Sequence, residues 1–90
     1  MALQILNAGD NDPEKIVGDL KGRIEAAIEG ADVTVTTGGP GHYEIRVVSS
    51  AFEGLNRVKQ QQLVYGAIAE LMAGNSAPVH AIDKLECVLP

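Results

Sequence analysis

Val33-Thr34-Val35-Thr36-Thr37-Gly38-Gly39-Pro40-Gly41-His42-Tyr43-Glu44-Ile45-Arg46-Val47 is the stretch on which the fold turns. Val33 and Val35 alternate with Asp32, Thr34 and Thr36, the period-2 pattern of a strand with one buried face. Gly38-Gly39-Pro40-Gly41 reads as a loop by composition. Tyr43, Ile45 and Val47 then alternate with Glu44 and Arg46, so the whole stretch is predicted to be an antiparallel hairpin.

Before it the apolar period is helical. Asp12 can cap, Pro13 sits where a missing N–H costs nothing, and Glu14 suits the positive end of the dipole. Ile16, Val17, Leu20, Ile24, Ala27 and Ile28 then form one stripe, and Gly30 stops the helix. Gly18 and Gly22 weaken it by about 1 kcal/mol each relative to alanine. Residues 1–11 read as a flexible lead that ends in a polar run. They carry no basic n-region, so a secretory signal is not expected.

After the hairpin, Ser50-Ala51-Phe52-Glu53 matches a capping box, which starts a short helix or turn that Gly54 breaks. Asn56 can cap a longer helix whose apolar face is Leu63, Val64, Ala67, Ile68, Leu71 and Met72. Val79 to Val88 reads as a last strand with imperfect alternation. The predicted order is α-β-β-α-α-β, a single α+β domain over residues 12–90, with a three-stranded mixed sheet and helices packed on one face. A helical crossover returns the chain parallel to the strand it left. The second and third strands then start at one end of the sheet, with His42 and His80 at a shared rim, roughly 5 to 10 Å apart.

Composition narrows the chemistry. The chain has 90 residues, twelve acids against seven bases, a net charge of -5, and 46% hydrophobic residues. Such a length suits one core, and such a balance disfavours nonspecific contact with nucleic-acid phosphates. No window is long and apolar enough to span a bilayer. The single cysteine excludes an internal disulfide framework and a four-cysteine zinc site, and fits a reducing, cytoplasmic setting.

His42 and His80 could ligate a metal through neutral imidazole, or serve as a solvated hairpin residue and a satisfied strand-end residue. Two histidines make an incomplete site, so a metal here would need ligands from another molecule. Cys87 is seven residues beyond His80, roughly 23 Å along an extended strand, too far to share one ion with it. No cationic neighbour or helix N-terminus is visible to activate this thiol, which reads as a small buried apolar residue. Ser49 and Ser50 lack a nucleophile-elbow context, and the carboxylates are scattered, so no enzyme is expected. The glycine-rich loop joins strand to strand and is a turn, not a phosphate cradle.

The element order is shared with class II KH-type domains, which makes a DNA-binding transcriptional regulator the alternative function. A KH domain clamps the backbone with G-x-x-G between its helices, whereas this junction is Glu53-Gly54-Leu55-Asn56. Arg57 and Lys59 would carry the contact, and glutamines follow them, a weak footprint.

His42-Tyr43-Glu44-Ile45-Arg46-Val47-Val48-Ser49, Ala51-Phe52-Glu53-Gly54, Leu63-Val64-Tyr65 and Val79-His80-Ala81-Ile82, in that order, resemble the BolA family. The resemblance runs from Asp12 to Pro90. It implies an adaptor that pairs with a monothiol glutaredoxin and shares a bridging 2Fe-2S cluster, with none in the isolated chain. His80 matches the family's histidine at the start of the last strand, and His42 the histidine or cysteine near the first hairpin loop. The partner's cysteine and the thiol of a bound glutathione supply the rest. Alone, such a chain is expected to be a monomer or weak homodimer.

Three departures from the family pattern stand out. Gln60-Gln61-Gln62 replaces a basic stretch linked to DNA contact, and Pro40 lies where some members carry the ligand cysteine. The segment after His80 is one residue longer than usual, which a bulge or a changed edge strand could absorb.

Overall fold

The Asp12 side chain accepts the Glu14 amide at 3.0 Å, and with Pro13 in the first turn it starts the first helix where the sequence places it. The computed structural model describes residues 12–74 and 76–90. The expected lead at 1–11 lies outside the described residues. In chain order the elements are α1 (Pro13–Ala27), β1 (Asp32–Gly39), β2 (His42–Val48), a 3-10 turn (Ser50–Phe52), α2 (Arg57–Met72) and β3 (Ala81–Val88).

The sheet order is β1-β2-β3, antiparallel between the first two strands and parallel between the last two. The expected hairpin and parallel return are therefore both present. Helix α1 packs on β1, α2 packs on β3, and the helices touch each other, so one face of the sheet is covered. Ile16, Leu20 and Ile24 of α1 meet Tyr43, Ile45 and Val47 of β2 and Val64 and Ile68 of α2 in one buried core, which Phe52 and Val79 complete. The other face is polar, with Thr34, Thr36, Glu44, Arg46, Lys84 and Glu86 exposed.

Four details depart from the sequence reading, each for a local reason. Strand β1 runs on to Gly39, which pairs with His42, so the connection shrinks from a four-residue loop to the turn Pro40-Gly41. The register shifts between Thr37 and Gly39, leaving Gly38 as an extra residue in β1. The short helical turn is capped by Ser49, not Ser50: its hydroxyl accepts the Ala51 amide and donates to the Glu29 carbonyl, both at 3.0 Å. Leu63 lies outside the buried stripe of α2, which is Val64, Ile68 and Leu71.

The fourth departure concerns the last strand, which starts at Ala81 instead of Val79. The Val79 amide is spent on the Leu71 carbonyl (3.1 Å), closing the end of α2. The pairing with β2 then runs His42 to Ala81, Tyr43 to Ile82, and Glu44 to Lys84, so Asp83 is the extra residue of a bulge. That explains the imperfect alternation: Ile82, Leu85 and Cys87 all pack toward the core, at spacings of three and then two. Of the two expected ways to absorb a longer tail, a bulge or a changed edge strand, β3 shows the bulge.

Candidate functional site: the histidine rim

Parallel pairing sets His42 opposite Ala81, the residue after His80, so both histidines of the chain sit at one end of the sheet. The Gly41 carbonyl fixes this junction by accepting the His80 amide at 2.8 Å and the Ala81 amide at 3.1 Å. Gly41 has φ 76° and lies directly against the His80 ring. His42 and His80 are both exposed.

His42 has a partner that sequence reading did not supply. Its Nδ1 is 3.0 Å from Oδ1 of Asp83. A carboxylate oxygen accepts, so in the neutral ring the proton belongs on this nitrogen and the lone pair on Nε2. A β-carbon on Gly38 would meet the other carboxylate oxygen at 3.5 Å, so Asp83 reaches from β3 across the end of β2 to β1. The bulges at Gly38 and Asp83 therefore flank the histidine from its two neighbouring strands. The signal for Asp83 was the extra residue after His80, but only strand pairing identifies which residue is extra.

Beside His80 the rim opens into a cleft of about 610 Å³, lined by Pro13, Pro40, Tyr43, Ala77 and Pro78 among others. Burial, and then the Asp12 carboxylate, push the Tyr43 phenol above its ordinary range, so it stays a neutral hydroxyl beside this cleft.

The other candidates lie elsewhere. Cys87 pairs with Val47 toward the opposite end of the sheet, half-buried against the core, and burial pushes its thiol up. A raised thiol is a poor nucleophile, which agrees with the apolar reading. Arg57 and Lys59 stand exposed in the first turn of α2, capped by Asn56, and Arg57 shares a crevice with Cys87 and Val88. They are not brought to the histidines. Gln60 is turned inward, its side-chain amide donating to the Leu55 carbonyl at 3.0 Å and the Phe52 carbonyl at 3.4 Å.

Among the described residues no three His, Cys, Asp or Glu side chains converge in a way that could hold a metal ion. No helix among them is long and apolar enough to cross a membrane. Imidazole pairs do replace thiolates on one iron of some 2Fe-2S centres, so the donor chemistry at the rim fits part of a cluster's ligand set and no more.

A family model described as BolA-like protein matches residues 24–87. BolA-like protein 1 of Homo sapiens is 39% identical over 59 residues, covering 66% of this chain and 41% of that protein. The acid stress protein IbaG of Escherichia coli (strain K12) is 39% identical over 47 residues, covering 52% of this chain and 54% of that protein. The chain thus spans about half the length, or less, of these curated relatives. The solution structure of BolA1 from Mus musculus superimposes with a TM-score of 0.68 at 27% identity, over 83% of this chain and 65% of that one.

Proposed function

Because the chain belongs to the BolA-like family, we propose that it is a non-enzymatic adaptor that binds a monothiol glutaredoxin and co-ligates a 2Fe-2S cluster. His80 contributes one imidazole nitrogen and His42 a second. The partner's cysteine and the thiol of bound glutathione complete the set. The observation that carries this reading is the shared rim. The parallel register brings two exposed histidines to the same end of the sheet, too few to hold a metal alone. Imidazole in place of thiolate raises a cluster's potential and suits a labile cluster in assembly, trafficking or iron sensing.

This chain's own residues prepare the half-site. The Gly41 carbonyl holds the backbone at His80 and Ala81, and the close approach of Gly41 seats the His80 ring. The cleft lined by Pro40 and Pro78 gives an apolar surface next to His80 against which a partner can exclude water.

The test mixes the purified chain with a cluster-loaded monothiol glutaredoxin and follows visible absorbance and circular dichroism. A new spectrum should form with the natural chain and with Cys87→Ala, and be lost with His80→Ala. A spectrum untouched by His80→Ala would sink the proposal.

A further inference from the structure

The structure assigns Asp83 as the positioning residue of His42: by holding the proton on Nδ1, it makes Nε2 the nitrogen that His42 offers to a metal. The inference deepens the cluster-sharing reading and rests on it. An isolated imidazole exchanges its proton between two nitrogens, and a ligand ring that does so presents its lone pair from the wrong atom part of the time. Metal-binding histidines solve this by donating the non-ligating N–H to a carboxylate or carbonyl, which fixes both tautomer and ring orientation. Here Nδ1 lies 3.0 Å from Oδ1 of Asp83, and a carboxylate can only accept.

The carboxylate is there because β3 is bulged. With unbroken pairing after Ile82, the next residue would fall opposite Glu44 in the ladder; instead Lys84 takes that place and Asp83 is left over. Freed from the ladder, its side chain folds over the end of β2. The backbone at Gly38 lies on the far side, where a β-carbon would come to 3.5 Å from Oδ2. Asp83 is thus confined between the His42 ring and a neighbour without a side chain. Its side chain is 44% exposed and that of His42 46%, so the pair is open to a partner and replacing Asp83 empties no core.

The test reads the ring first and the cluster second. In the isolated 15N-labelled chain, with the ring neutral, long-range proton–nitrogen correlations should report His42 as the Nδ1–H tautomer. Asp83→Ala should abolish that preference, and Asp83→Asn should keep it, because the amide oxygen still accepts. In the mixture with cluster-loaded glutaredoxin, Asp83→Ala should shorten the lifetime of the visible spectrum by about tenfold or more. His42→Ala should shorten it as well, and Asp83→Asn should stay near the natural chain.

Two results would overturn the assignment. One is a natural ring without an Nδ1–H preference, or one unmoved by Asp83→Ala. The other is a lifetime that falls with His42→Ala but not with Asp83→Ala. Failure of the underlying cluster reading looks different: the spectrum is then indifferent to His80→Ala too, while the tautomer is read with neither metal nor partner present.

Discussion

A β-carbon on Gly41 would stand 2.8 Å from Cγ and 3.0 Å from Nδ1 of His80, inside the distance at which such atoms meet. The same residue has φ 76° and lends its carbonyl to the His80 and Ala81 amides. The hairpin turn and the ring beside it are therefore one packing unit, built on the lack of a side chain at a single position.

Gly41→Ala should destabilise the domain by about 1–2 kcal/mol, from the left-handed backbone and the displaced ring together. For a chain of this size that lowers Tm by roughly 5–15 °C, and the His80 ring resonances should move with it. An unshifted His80 ring at unchanged Tm would refute the packing unit.

Ser49→Ala should cost about 1–3 kcal/mol in denaturant unfolding. It removes a buried hydroxyl that bonds the Glu29 carbonyl and the Ala51 amide. Ser50→Ala, at an exposed neighbour, should stay within about 0.5 kcal/mol. Equal losses would mean that the cap is misassigned.

Cys87 should give the domain an alkaline weakness. Burial raises its thiol pKa in the folded state, so its contribution is complete below the unfolded thiol's range and is lost as pH rises through the raised value. Midpoints of urea unfolding should fall across that window, and less steeply in Cys87→Ala. Tyr43, also raised, remains in both chains and drops out of the difference. Iodoacetamide should alkylate Cys87 more slowly than it alkylates glutathione. Matching rates would contradict the burial argument.

Binding to duplex DNA should be weak and steeply confined to low salt. Arg57 and Lys59 are two exposed cations on a chain of net charge -5. Two phosphate contacts give a log–log salt slope no steeper than about −2. A mobility shift that survives physiological salt, and is lost on replacing Arg57 and Lys59, would favour the regulator reading instead.

Much of the fold was legible because it rests on local periods and caps. Asp12, Asn56 and the valine–threonine alternation sit where short-range chemistry places them. The rim was legible too, since a hairpin followed by a helical crossover constrains where the strands at His42 and just after His80 begin. Asp83 was not legible as a site residue. The surplus residue in the tail could be counted, but the residue it ejects depends on which neighbour Glu44 selects, a contact between distant parts of the chain. Ser49 was hidden for a related reason. The capping-box spacing to Glu53 favours the second of two adjacent serines, while the bond to the distant Glu29 carbonyl accompanies the first as the cap.

The bulge has a consequence on the outer side of β3 as well. Among the described residues this strand ends the sheet, and a straight margin of unpaired amides and carbonyls invites a second chain to extend it. The extra residue at Asp83 kinks that margin after Ile82, and Lys84 and Glu86 charge the remainder. A copy approaching edge to edge meets a broken register and mixed charge. The residue that orients a histidine thereby also guards a small protein against self-templated aggregation.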